Sequence, residues 1–160
     1  MGPLQTIPRG GKAWGRSSAR RPDRYSRNGT LQWFGAFCPT TGRSVGKGFA
    51  RKTADDCRVF WEQYMFPFWL TGAIHLVLDN LSVHTKALRE LPYRLRRRLR
   101  LYWLPTNSSW PNLIESQFSV LKHTGLDNTH YRTPTAIDEG LLAATAYLNT
   151  DPTSYRWDKI

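Results

Sequence analysis

The segment Ala73-Ile74-His75-Leu76-Val77-Leu78 is a continuous apolar run broken only by His75 and closed by Asp79-Asn80. A run this short, rich in branched apolar residues and ended by turn formers, predicts a strand rather than a helix. Its lack of polar alternation predicts burial on both faces, the condition of a strand inside a parallel sheet roofed by helices. Parallel strands need crossover connections, so helical segments should flank this run in sequence.

They do. Upstream, Thr30 to Cys38 is aromatic-rich and predicts a strand, Pro39-Thr40-Thr41-Gly42 a turn, and Arg43 to Phe49 the return strand of a hairpin. Thr53 is a natural N-cap with Asp55 and Asp56 in the first turn after it. The apolar pattern of that helix passes through Val59, Phe60, Tyr64 and Met65 until Pro67 ends or kinks it. Downstream, His84 to Leu99 predicts a helix ending in a basic cluster, Leu101 to Leu104 a short strand, and Leu113 to His123 a third helix. Pro134 to Leu148, capped by Thr133, predicts a fourth. The order ββαβαβαα, with no internal repeat and no long linker, predicts one mixed α/β domain over residues 1–160. Residues 1–29 are rich in Gly, Arg and Ser without a period and read as a basic loop or arm of that domain.

Lys and Arg outnumber Asp and Glu by 23 to 12, a formal charge of +11 that draws polyanions without choosing between DNA and RNA. No apolar run approaches the ~18 residues of a membrane span, and the start has neither the charge nor the apolar core of a secretory signal. Cys38 and Cys57 have no metal-type spacing and read as reduced thiols of a cytoplasmic protein.

Two carboxylates stand where chemistry is expected. Asp79 lies at the carboxyl end of the apolar strand, where ligand sites gather in open α/β sheets, although Asp-Asn is also ordinary turn chemistry. Glu115 falls in the first turn of the third helix, sharing a face with Ser119 and Lys122, while Ile114, Phe118 and Leu121 form the apolar face. A capping box between Asn112 and Glu115 is the competing structural role.

Taken together the two acids are more specific. Residues 80–114, thirty-five in number, separate them. That spacing and its flanks resemble the second and third acids of the DDE/D transposase superfamily, most closely the mariner-like transposases of bacterial insertion sequences. Asp79-Asn80 with His84 looks like the second motif, and Leu104-Pro105, Asn112, Ile114, Glu115 and Lys122 like the third. Gly2-Pro3-Leu4-Gln5 resembles the stretch just after the family's first Asp-Glu.

The resemblance spans essentially the whole chain. It implies a ribonuclease H-like mixed sheet flanked by helices, here lacking its first central strand, and metal-dependent cleavage and strand transfer in DNA transposition. Asp79 and Glu115 would be catalytic metal ligands for two Mg²⁺ (or Mn²⁺) ions, which prefer oxygen donors. The implied partners are double-stranded DNA, as transposon ends and target, and further copies of a full-length chain, in the bacterial cytoplasm at the nucleoid. Lys122 and the cluster Arg94, Arg96, Arg97, Arg98 and Arg100 become candidates for phosphate contact.

Departures sharpen the expectation. Ser109 and Leu113 stand where the family usually has proline, and Pro111 where an apolar residue is usual. The first acid has no counterpart: Asp23, in Ser18-Ala19-Arg20-Arg21-Pro22-Asp23-Arg24, has no strand character. The chain therefore reads as cut before its first acid and inactive by itself. A non-catalytic nucleic-acid-binding relic and a nuclease acting on RNA–DNA hybrids are the alternatives. His75 reads as a core residue of its strand, His84 carries no definite catalytic role, and Trp103 and Trp110 read as packing around the third motif.

Overall fold

The computed structural model describes residues 3–5 (backbone only), 29–105, 113–127 and 131–155. The expected arm beyond residue 5, Asp23, and the loop carrying Ser109, Trp110, Pro111 and Asn112 lie outside the described residues, as does the capping reading of Asn112.

The hairpin forms as its sequence predicts. β2 (Thr30–Phe37) pairs antiparallel with β3 (Ser44–Phe49), and β1 (Pro3–Gln5), unforeseen in a stretch that reads as loop, adds three residues to the other edge of β2. The hairpin turn closes with Gly42 at φ 72°, a left-handed conformation that glycine adopts without strain. The two faces of β2 feed different cores. Phe34 joins the one built from the middle of the chain, and Leu31 and Trp33 join the other, beneath the C-terminal helices. Gly46 lies against the indole of Trp33, and a side chain there would overlap the ring.

Thr53 caps α1 (Ala54–Phe60) with a reciprocal capping box: its hydroxyl accepts from the Asp56 amide, and the Asp56 carboxylate accepts from the Thr53 amide. The helix does not stop at Pro67. It widens into a π-helical stretch, Trp61–Met65, and resumes as α2 (Phe66–Phe68). Pro67 lies inside this continuous helical run, where it can donate no backbone hydrogen bond to the π turn before it, and the helix ends one residue later at Phe68.

β4 (Ile74–Leu78) pairs in parallel with β5 (Leu99–Trp103), which starts two residues earlier than its pattern suggests. The connection is two helices, α3 (Ser82–Glu90) and α4 (Tyr93–Arg96), where one from His84 to Leu99 was expected. Pro92 breaks it, and Leu91 is extended (φ −66°, ψ 134°), as residues before proline tend to be. β4 is not buried on both faces. Leu78 is buried, but His75 and Val77 are exposed beside their register partners Arg100 and Tyr102. His75 is thus a surface residue and not a core one; its ring stacks on Tyr102 at 5.6 Å, with Nδ1 2.9 Å from the phenol oxygen.

α5 (Leu113–Leu126) and α6 (Pro134–Leu148) pack on each other and on β2. Leu121, Ile137, Leu141 and Ala144 cover Leu31 and Trp33. α6 also seals the outer edge of β3. Asn149, just past its end, donates its amide nitrogen to the Ser44 carbonyl (2.7 Å) and accepts the Ser44 amide (2.9 Å), replacing a strand partner. The buried Asp138 accepts from the Gly48 amide at 2.7 Å and pairs with the Lys47 ammonium.

The expected α/β class holds, with short sheets flanked by helices. The single mixed sheet is instead two small ones, β1-β2-β3 and β4-β5, with no ladder between them among the described residues. What unites them is side-chain packing: Phe34, Leu78 and Leu99 share one core with Cys57, Phe60, Trp61, Met65, Ala87 and Leu88.

Candidate active site at the end of strand β4

Asp79 follows β4 directly and sits over the helical layer beneath it. Its position is fixed from two sides. The Leu104 amide donates to the Leu78 carbonyl at 2.8 Å, and the Asn80 side chain donates to the Leu104 carbonyl at 2.8 Å. The Asp79-Asn80 turn is therefore clamped to the chain leaving β5, which continues toward Glu115 ten residues beyond Pro105.

On the other side, His84 in the first turn of α3 reaches back. Its Nδ1 lies 3.3 Å from the Asp79 main-chain carbonyl and 2.9 Å from Oδ1 of the carboxylate. The shorter approach lacks hydrogen-bond direction, so Oδ1 is sequestered from solvent without a hydrogen bond. Nδ1–H serves the carbonyl. The His84 ring in turn rests near the buried indole of Trp61, 6.1 Å between centroids. The side chain of Asp79 as a whole is 46% exposed, so its accessible atoms are the others. A carboxylate oxygen withdrawn from water with no donor carries a desolvation penalty. A cation held against the open side of the group offsets that penalty, and the oxygen donor is of the type that Mg²⁺ or Mn²⁺ takes. The accessible part of the Asp79 carboxylate is an oxygen donor of the type such an ion takes.

Beneath this loop lies Cys57. Burial pushes its thiol up to about 12; Lys52 works against the shift, while Asp56 and Asp79 add to it. The carboxylate of Asp79 is close enough to be felt by a thiol buried in the core.

Glu115 stands in the first turn of α5 and is exposed, as its helical register predicts. Ser119 is exposed and Lys122 half-buried on the same face, with Leu121 buried on the other. The helix is seated by Phe118 against Gly35 and by Gln117 reaching the Ser44 hydroxyl at 3.5 Å. The structure joins Asp79 to His84 and clamps Asn80 to Leu104; no hydrogen bond or ion pair links Asp79 to Glu115. Among the described residues no group of three or more His, Cys, Asp and Glu is arranged to hold a metal.

The basic cluster divides. Arg98 is structural: its guanidinium donates to the carbonyls of Trp69 (2.7 Å) and Gly72 (3.0 Å) and lies over the Phe66 ring. Arg100 donates to the carbonyls of Arg97 and Leu99. Arg94, Arg96 and Arg97 are exposed on and after α4. Trp103 is 40% exposed at the end of β5, more open than packing beneath a loop suggests. The contact of His84 with Asp79 was not foreseen; the five-residue interval across a helix start was the available signal.

A family model described as DDE superfamily endonuclease matches residues 3–138. Neither among curated proteins nor among solved structures does the chain find a significant match. No helix of the described residues is long and apolar enough to cross a membrane.

Proposed function

Because the chain belongs to the DDE superfamily endonucleases, we propose that it is the DNA-cleaving and strand-transferring domain of a transposase, with Asp79 and Glu115 as metal ligands. Domains of this superfamily generally act on DNA and generally use divalent metal ions. The mariner-like, insertion-sequence type is the reading favoured by the Asp79-to-Glu115 interval of thirty-five residues and by the motif around each acid.

One observation carries the assignment of Asp79. A carboxylate at the carboxyl end of a strand has one oxygen shielded from water yet unbonded, and its turn is clamped on both sides. Divalent metal, when bound, lowers the pKa of an attacking water or hydroxyl and stabilises the leaving oxygen in an in-line displacement. The protein's part is placement. Asn80 and Leu104 hold the Asp79 backbone, and His84 fixes the carbonyl above it. α5 presents Glu115 on a helix anchored through Phe118, so both acids stand on ordered elements. Lys122, about two turns along the Glu115 face, and Arg94, Arg96 and Arg97 would take phosphate oxygens. Asp79 and Glu115 are two ligands of a site that calls for more, supplied elsewhere in the protein or by an assembly of copies.

The test is nicking of a supercoiled plasmid by the purified chain with Mg²⁺ or Mn²⁺, set beside Asp79→Asn and Glu115→Gln. Metal-dependent nicking lost in both variants supports Asp79 and Glu115 as ligands and overturns the expectation that the chain is inactive by itself. DNA binding equal in all three proteins, with no nicking by any, favours a binding protein without turnover. Preference for an RNA–DNA hybrid over duplex DNA moves the chain to another nuclease class.

A further inference from the structure

α3 begins three residues after Asp79, and its two sides are chemically different. Ala87 and Leu88 face the core, with Val83 packed beside it. Ser82, Thr85, Lys86 and Arg89, spaced i, i+3, i+4 and i+7, share the adjoining face. They line an open groove of about 490 Å³ whose opposite wall is the start of α1 at Ala54. Every polar side chain on that list is a hydrogen-bond donor and two are cationic.

Most of the acids beside this face are engaged by other groups. Asp56 is held by the Thr53 cap, Asp55 leans toward Arg58 at 3.9 Å, and Arg58 is bound by Glu62 at 3.0 Å. Glu90, the acid of α3 itself, is exposed, and Arg58 feels its charge without an ion pair. Lys86 and Arg89 are exposed and have no ion-pair partner among the described residues. Lys86 and Arg89, three residues apart, are separated by about 4.5 Å of helix rise, and their long side chains can splay to neighbouring phosphates of one strand. Its N-terminal end adjoins the candidate metal ligand.

We propose that this face of α3 is a track for the DNA backbone, on which Lys86 and Arg89 hold two phosphates of the strand whose scissile bond lies at Asp79. The inference rests on the reading of the chain as a DNA-cleaving domain and adds where the flanking DNA runs. Ser82 and Thr85 donate their hydroxyls to the same phosphates, and the groove between α1 and α3 receives the strand. Such contacts position DNA and carry no sequence information.

Fluorescence anisotropy of a labelled DNA duplex, titrated at several salt concentrations in EDTA, reads the track without any need for cleavage. Each phosphate contact contributes about 0.9 to the slope of log K against log salt. Lys86→Gln/Arg89→Gln should therefore flatten the slope by about 1.8. Lys86→Arg/Arg89→Lys should keep it, and circular dichroism should show both variants folded. Arg132→Gln, an exposed charge on the segment before α6, should leave the slope unchanged. An unchanged slope in Lys86→Gln/Arg89→Gln, or a fall in Arg132→Gln as large as one track residue causes, overturns the track while leaving the DNA reading standing. Failure of the wild-type chain to bind duplex DNA, or binding only of duplex RNA, overturns both.

Discussion

Asp138 is a buried carboxylate with two partners on strand β3. It is buried in α6, yet it reaches across to the outer edge of β3, ninety residues away, to accept the Gly48 amide at 2.7 Å. The Lys47 ammonium closes on its other oxygen. In Asp138→Ala the Gly48 N–H loses a charged acceptor, worth about 1.5–3 kcal/mol, in a place where α6 denies it water. The Lys47 side chain is 27% exposed and can turn to solvent, so its loss adds little. The expected destabilisation is about 3 kcal/mol, which for a chain of this size lowers the melting midpoint by roughly 6–12 °C. Asp138→Asn keeps an oxygen for Gly48 but makes it a neutral acceptor, so its cost should be about half as large. Urea unfolding followed by circular dichroism measures both. If Asp138→Ala unfolds within about 0.5 kcal/mol of the wild type, the usual scatter of surface substitutions, α6 does not hold the strand edge and the account of this core is wrong.

Three further expectations follow from the same structure. Asn149→Ala removes both hydrogen bonds that imitate a strand beside Ser44 and should cost about 1–3 kcal/mol in the same unfolding assay, with no effect expected from Asn149→Asp on the Ser44 amide bond alone. Gly46→Ala forces a methyl into the Trp33 indole and should cost about 1–3 kcal/mol, with a change in tryptophan fluorescence as the ring moves. The two cysteines should separate by reactivity. Burial raises the Cys38 thiol, but hydrogen bonds from Thr40 and Thr41 outweigh it and leave a net lowering, whereas Cys57 is pushed up to about 12. Ellman's reagent should therefore titrate one thiol in the folded protein and two in denaturant. The raised Cys57 value also has a sign. Above its ordinary 9.0 the unfolded chain loses the proton while the folded state keeps it. Wild-type stability relative to Cys57→Ala should then fall with rising pH between about 9 and 12, by about 1.4 kcal/mol per unit. A flat difference would show that the thiol is hydrated.

Local chemistry was legible where one or two residues decide the outcome. Pro39 to Gly42 gave the hairpin turn, Thr53 and Thr133 the two capped helix starts, and the i, i+4, i+7 spacing of Glu115, Ser119 and Lys122 their common face. The Leu91-Pro92 break was masked because Leu95 and Leu99 continue the apolar period across it. The π-helical stretch Trp61–Met65 shares its core with Phe34 and Leu78, neighbours that no local window of sequence contains. The run from Ala73 to Leu78 looks buried on both sides because Val77 is apolar, yet Val77 is 53% exposed. For the candidate site, the position of Asp79 at a strand end was readable, and its contact with His84 was not. That contact depends on α3 starting at Ser82 without a side-chain cap, so that the imidazole is free to turn back.

The clasp of Asn149 on Ser44 spans 105 residues of chain. During synthesis the hairpin is complete long before its guard exists. At the usual pace of about 5–20 residues per second, the outer edge of β3 waits roughly 5–20 s on the ribosome before Asn149 is even made. Through that interval an unpaired row of amides and carbonyls faces water next to the same edge on neighbouring nascent chains. Cells producing this protein from closely loaded messages should thus lose more of it to co-aggregation than its equilibrium stability foretells, and slowing translation should worsen the loss.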